Sequence, residues 1–341
     1  MSRLGTELPI IQAPMAGVQG SELAIAVSNA GGLGSLPGAM LTPDALRDEL
    51  TAMASRTSQP YNVNFFSHTL PPPNPERERR WRDMLAPYYR ELDIDLQDLR
   101  PGPTRAPFDH DAADVLAQYR PPVVSFHFGL PSKDLLDRVR QWKVMILSSA
   151  TTVDEARWLE ARGVDAIVAQ GLEAGGHRGM FLSEDLTTQV GTVALVRQIV
   201  RAVKVPVIAA GGIADADGVI AALALGAAAV QIGTAYLLCP EAKTSVVHRE
   251  ALTSARSTHT AVTNVFTGRP ARGIVNRLIT EMGPMNPAAP QYPIAAAATM
   301  PLRAKAEAGG SGDFSPLWSG QNAAGCKNLP AAELTRQLAG R

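Results

Sequence analysis

Short apolar runs rich in β-branched residues alternate along this chain with longer stretches whose apolar positions recur every three to four residues. The first kind suits strands buried on both faces, and the second suits helices with one buried face. Eight runs read as strands: Ile10–Ala13, Leu33–Leu36, Tyr61–Phe65, Val123–Phe126, Val144–Leu147, Ala166–Ala169, Val207–Ala210 and Val230–Ile232. Helical patterns follow most of them, over Glu22–Asn29, Pro43–Ala54, Ser132–Gln141, Val153–Ala161, Thr192–Val203 and Asp215–Leu225. Such alternation calls for parallel strands joined by crossover helices, and eight strands predict a TIM (β/α)8 barrel. A doubly wound open sheet is the competing architecture.

Two regions exceed a minimal barrel. Residues 67–121 separate the third and fourth strands by more than one helix needs, and carry Pro71-Pro72-Pro73-Asn74-Pro75 and the charged run Glu76–Arg80. They predict an inserted helical arm with a solvated charged face. The alternative is a flap over the active site. Residues 240–341 are rich in Pro, Gly and Ala with helical stretches, and predict a C-terminal helical cap over the barrel mouth. The expected division is thus a barrel over residues 1–239, bearing the 67–121 arm, and a cap over residues 240–341.

Composition narrows the function. Of 341 residues, 45% are hydrophobic and 19% charged, as in an ordinary globular protein, and 32 basic residues balance 32 acidic ones. Nucleic-acid binders usually carry a basic excess, so none is expected as partner. Two cysteines, Cys239 and Cys326, are too few for a disulfide framework, which favours a reducing compartment and a cytoplasmic location. The start, Met1–Glu7, shows no apolar leader, and no run approaches the roughly 18 apolar residues of a membrane span. No histidine pair has metal-ligand spacing, so no metal is expected.

Candidate chemistry gathers at strand ends, where barrel active sites form. The sixth strand runs into Gln170-Gly171-Leu172-Glu173-Ala174-Gly175-Gly176-His177-Arg178-Gly179. Glycines there permit close backbone approach to a flat cofactor, and His177 offers a group able to move protons near neutral pH. The seventh strand ends in Gly211-Gly212 and the eighth in Gln231-Ile232-Gly233-Thr234, two turns suited to a phosphate, with Asp215 expected to cap the following helix. After the first strand, Ala13-Pro14-Met15-Ala16-Gly17 offers backbone groups at fixed positions that could meet the polar edge of a flavin ring. Asn64 supplies an amide to the same ring or serves as a turn residue. His127, ending the fourth strand, is a packed strand-end histidine or a second donor to substrate. His68, His110, His248 and His259 have no supporting context, and Trp318 reads as an anchor of the cap.

These motifs in this order resemble the nitronate monooxygenases, formerly 2-nitropropane dioxygenases, of the class carrying a Glu-Ala-Gly-Gly-His-Arg-Gly loop. The likeness rests on Gln12–Gly17, Ser28–Gly34, Ala169–Gly179 and Ala209–Thr234, and extends to Thr267–Gly273 and Leu317–Gln321. It implies FMN as cofactor and oxidation of alkyl nitronates, of the propionate 3-nitronate type, by O2 to carbonyl products and nitrite. Reduced nicotinamide is not needed. It assigns His177 as base toward a neutral nitroalkane. It also places Gln170, Gly175, Gly212, Gln231, Ile232, Gly233, Thr234 and Asn64 against FMN, with Met15 and its neighbours along the ring and Gly176 and Gly211 beside them. Arg178, His127, Tyr292, Lys305 and Gln321 are the further candidates for substrate contact, and a monomer or homodimer is expected. The rival on this scaffold is a flavin-dependent enoyl-acyl-carrier-protein reductase, which typically carries Gly-Gly-Met where this chain has Ala13-Pro14-Met15. An NAD(P)H:quinone reductase is the third possibility, and a flavin-storage barrel the non-enzymatic one.

Overall fold

The computed structural model describes residues 4–95 and 105–341, so Met1–Arg3 and the stretch 96–104 of the expected arm lie outside the described residues. Eight parallel strands form one sheet: β1 (Ile10–Gln12), β2 (Gly34–Pro37), β3 (Tyr61–Phe66), β4 (Val123–His127), β5 (Met145–Ala150), β6 (Ala166–Gln170), β8 (Val207–Ala210) and β9 (Ala229–Ile232). Their order is β1-β9-β8-β6-β5-β4-β3-β2, and a parallel bridge between Ile11 and Leu33 joins the two ends. Gln12 donates to the Leu33 carbonyl (3.0 Å) and Leu33 to the Ile10 carbonyl (2.9 Å) across that seam. The sheet is thus a TIM barrel and not an open doubly wound sheet.

Strand periodicity decides what faces the axis. Ile11, Leu33, Val123, Leu147, Val168 and Ile208 pack together inside the barrel, while their neighbours Ile10, Leu36, Val124, Ile146, Ile167 and Val207 pack outward against helices. Alternation with period two carries this inner row upward to Ala13, Asn64, Ser125, Ser149, Gln170 and Gln231, polar or small residues one layer above the apolar core. Helices α1 (Ser21–Asn29), α2 (Pro43–Arg56), α5 (Lys133–Gln141), α6 (Val153–Ala161), α7 (Thr192–Ala202) and α8 (Ala216–Ala224) form the outer ring. Local chemistry sets their starts. The Thr42 hydroxyl accepts from Ala45 N (3.2 Å) ahead of Pro43, and Asp215 accepts from Gly218 N (2.8 Å), as its expected capping role requires.

The 67–121 region divides in two. Helix α4 (His110–Tyr119) packs against α2 and α5, so it is the ordinary crossover helix between β3 and β4. Helix α3 (Pro75–Glu91) is the true insertion, and it is not an exposed arm. Glu76, Arg79 and Arg80 are solvated as expected, but Trp81, Leu85 and Tyr89 are buried with Val265, Phe266, Leu302 and Phe314 of the chain after β9. The Tyr89 hydroxyl donates to the Ala298 carbonyl at 2.6 Å. The charged run hides this because the apolar stripe lies on the opposite face of the same helix.

The chain after residue 239 is also more mixed than a helical cap. It contains α9 (Val246–Thr253), α10 (Arg277–Met282) and α11 (Ala296–Ala308), and an antiparallel pair, β10 (Thr260–Thr263) and β11 (Ala271–Ile274). The final helix, α12 (Ala331–Leu338), packs on α1 and α8, with Ala331, Leu334 and Leu338 in the barrel's own core. It fills the outer-ring place after β9, so the cap ends before it. No helix among the described residues is long and apolar enough to cross a membrane.

Because α3 carries the cap's largest buried side chain, Trp81→Ala should lower unfolding free energy by about 3–5 kcal/mol. Thermal or urea unfolding checks this; a change below about 1 kcal/mol would show that α3 is peripheral.

Candidate active site

A glycine-rich loop has few side chains with which to pack, so hydrogen bonds must hold it. The loop after β6 is held from both sides. From the barrel, Gln170 Nε2 donates to the His177 carbonyl (2.9 Å) while Gln170 Oε1 accepts from Gly179 N (2.7 Å). His127 Nε2 lies 3.2 Å from the same His177 carbonyl, and His127 Nδ1 lies 3.0 Å from Ser149 Oγ. A carbonyl oxygen only accepts, so Nε2 carries the His127 proton and Nδ1 takes the Ser149 hydroxyl. From the cap, the two-residue strand β7 (Gly176–His177) pairs with β11, His177 opposite Ala271 and Gly176 opposite Arg272.

Arg178 completes the clamp from beneath. Its side chain is fully buried, and Nη1, Nη2 and Nε donate to Gly171 O (2.7 Å), Gln170 O (2.8 Å) and Gln189 Oε1 (3.0 Å). Burial lowers its pKa to about 10, with Arg272 adding and Glu173 opposing, so it stays a cation at neutral pH. Arg178 therefore does not face substrate: its donors are spent on the loop's own carbonyls. His127 lines the cleft with both ring nitrogens committed, which fits the packed strand-end reading and leaves no free N–H for substrate.

The loop presents His177 to the cleft above the barrel axis. Its Nε2 lies 2.9 Å from the Thr267 hydroxyl, and Nδ1 has no partner among the described residues. Tyr292 (5.3 Å between ring centroids), Trp318 (5.5 Å) and Phe66 (6.4 Å) surround the ring. Burial first, then the nearby Arg105 guanidinium and His127, hold its pKa well below the ordinary histidine value. The imidazole is neutral at physiological pH, the state a proton acceptor requires.

Beside His177 the cleft continues over backbone. It is bordered by Ala13, Pro14, Met15, Asn64, Gln170, Gly175, Gly176, Gly211, Gly212, Gln231, Ile232, Gly233 and Thr234, so every expected cofactor-facing residue lies at one cavity. Asn64 is no free turn residue: Nδ2 donates to Ser125 Oγ (2.9 Å) and to Ser125 O (3.2 Å). Gly176, at φ +72°, faces space in which an added Cβ would meet nothing within 4 Å. The Thr234 hydroxyl accepts from Gly320 N (2.9 Å), leaving its own proton to donate. Asn322 Nδ2 donates to the Gly212 carbonyl at 3.0 Å, tying the chain before α12 to this end.

Tyr292 belongs to the site, buried against His177 with its hydroxyl unpartnered among the described residues. Lys305 and Gln321 do not. Lys305 is exposed on α11, and Gln321 is exposed while its backbone N–H donates to the Glu173 carbonyl (3.0 Å). Sequence reasoning missed Thr267, Arg105, His68 and His248, the last lining the cleft with Nε2 3.1 Å from the Trp318 carbonyl. Only Thr267 had a signal, its place in the Thr267–Gly273 motif. The others reach the site through tertiary packing.

A family model described as nitronate monooxygenase matches residues 1–340. The chain is 44% identical to a nitronate monooxygenase of Pseudomonas aeruginosa, covering 98% of this chain and 96% of that one. It is 42% identical to one of Paraburkholderia phytofirmans, covering 98% and 92%. Among solved structures, a nitroalkane oxidase from Streptomyces ansochromogenes superposes with a TM-score of 0.90 at 40% identity, over 98% of this chain and 96% of that one. FabK from Thermotoga maritima is less similar, at a TM-score of 0.72 and 28% identity, over 99% and 93%.

Burial holds His68, His127 and His248 at about 4 in the folded chain, against about 6.5 unfolded. Between those values the unfolded state binds more protons, so stability falls as pH drops, by at most about 1.4 kcal/mol per pH unit for each imidazole. Urea midpoints should therefore decline from pH 7 to pH 5, above the range of carboxylate protonation. A flat profile there would contradict neutral buried imidazoles.

Proposed function

This chain belongs to the nitronate monooxygenase family, and from that premise we propose that it oxidises alkyl nitronates with O2 on bound FMN, releasing nitrite and a carbonyl product without reduced nicotinamide. The residues present fit such a cofactor. Gly176 opens onto unfilled space, the turns at Gly211-Gly212 and Gly233-Thr234 face one end of the same cleft, and consecutive positive φ values of 118° and 73° at Gly211 and Gly212 suit backbone that approaches a ligand closely. Gly212, Gly233 and Thr234 would hold the phosphate, with Ala13, Pro14, Met15, Asn64 and Gln170 toward the ring. FMN would supply the electron transfer between substrate and O2.

The chain's own part is to receive an anion and place it. The observation that carries the reading is His177: neutral, fixed through Nε2 by Thr267, and with Nδ1 unpartnered at the cleft. A nitronate is already deprotonated, so toward it His177 has no proton to take. A neutral nitroalkane must first lose its α-proton, and the free imidazole nitrogen of His177 accepts it. Arg105, lining the same cleft, offsets the negative charge of either anion. Phe66, Trp318 and Tyr292 exclude water from the reacting carbon. Gln170 and His127 act through the His177 carbonyl, fixing where the imidazole sits. A small-molecule nitronate is thus the partner.

The roles separate by substrate. His177→Asn should lower nitroalkane turnover by about 10²- to 10⁴-fold, the usual worth of general-base catalysis, and nitronate turnover far less. Nitrite release and O2 uptake measured with both substrates check this. Undiminished nitroalkane turnover would remove the base role, and an absence of nitrite from either substrate would remove the proposed reaction.

A further inference from the structure

Between the cap and α12, residues 319–326 cross one end of the cleft as a strap without helix or strand. Glycines let it lie directly on other backbone. A Cβ on Gly320 would come within 2.8 Å of the Glu173 carbonyl oxygen, and one on Gly325 would overlap Ala214. Three donors then run from the strap to the turns at the ends of β8 and β9. Gly320 N donates to Thr234 Oγ1 (2.9 Å), Asn322 Nδ2 to the Gly212 carbonyl (3.0 Å) and Cys326 Sγ to the Thr234 carbonyl (3.0 Å).

The Asn322 bond decides which way a turn peptide faces. Gly212 is exposed, and Asn322 takes its carbonyl on that outer side. The Gly212–Ile213 peptide is trans, and in a trans peptide the N–H points opposite to the C=O. The Ile213 N–H is therefore turned inward, to the cleft that Ile213 lines. One peptide earlier, the Thr192 hydroxyl lies 3.0 Å from the Gly211 carbonyl oxygen and 2.7 Å from Glu173 Oε2, holding the turn from the barrel side. The N–H groups of Gly212, Ile213, Gly233 and Thr234 make no hydrogen bond among the described residues, and all four residues line the cleft. Unpaired N–H groups gathered in one concavity suit an anion. Because these donors are backbone, their aim is only as fixed as the carbonyls behind them.

We infer that Asn322 is a positioning residue for the cofactor's phosphate: by holding the Gly212 carbonyl outward it aims the Ile213 N–H inward, and so couples the strap before α12 to flavin binding. This rests on the FMN part of the proposed function and not on the nitronate part. Asn322 therefore matters for the phosphate end of the cofactor and not for its ring.

FMN and riboflavin differ only by the phosphate, so the test titrates each into the full chain after flavin removal and follows flavin fluorescence. Wild type, Asn322→Ala and Asn322→Asp are compared. Wild type should bind FMN more tightly than riboflavin. Asn322→Ala should weaken FMN binding by about 3- to 10-fold, the worth of one hydrogen bond, and leave riboflavin binding unchanged. Asn322→Asp keeps the shape and loses the donor, so it should bind FMN no better than Asn322→Ala. An equal loss on both flavins would make Asn322 a packing residue and overturn the inference. Wild-type FMN affinity in either variant would overturn it as well. A wild type that binds both flavins equally would remove the phosphate site but not flavin binding, whereas one that binds neither would remove the FMN reading and this inference together.

Discussion

The site depends on how a glycine-rich loop with few apolar side chains is held still. The flanking glycines give the backbone at His177 no side chains to pack, so its position is set by hydrogen bonds on its own carbonyl: from Gln170 Nε2 at 2.9 Å and His127 Nε2 at 3.2 Å. Beneath, the buried Arg178 guanidinium binds two more loop carbonyls. Truncating a member of such a network leaves buried polar groups unpaired, which costs more than the bonds are worth singly. The arrangement is therefore stiff, and glycine's freedom is spent on admitting a ligand.

The same constraint explains why the barrel needs a cap. β7 has only two residues and no partner in the barrel, and it becomes a strand by pairing with β11. Thr267, four residues before β11 begins, fixes the imidazole. The cap in turn is anchored by α3, which leaves the barrel after β3 and buries Trp81 and Tyr89 in it. Barrel and cap meet at His177, and the neutral imidazole follows from that burial.

Much of this was legible in the sequence because barrels obey local rules. Apolar runs located all eight strands, and strand ends located the chemistry, since period-two alternation carries Asn64, Gln170 and Gln231 inward above the core. What failed failed for tertiary reasons. Arg178 looked like a substrate cation because it follows His177, but adjacent residues in an extended strand point opposite ways, so it faces the interior. Lys305 and Gln321 stood in the right segment on the wrong face. The exposed charges of α3 concealed its buried stripe, and β10 and β11 were too short to stand out among prolines and glycines. Arg105 and His68 carried no local pattern, because tertiary packing alone brings them near His177.

On the proposed function, this cleft passes electrons from a nitronate, and not from a nicotinamide, to a flavin. Anaerobic mixing of the FMN-loaded protein with an alkyl nitronate, and separately with NADH and NADPH, distinguishes the two donors. The flavin absorbance at about 450 nm should bleach with the nitronate and persist with both nicotinamides. Rapid bleaching by a nicotinamide, with none by the nitronate, would contradict it and make the protein a reductase.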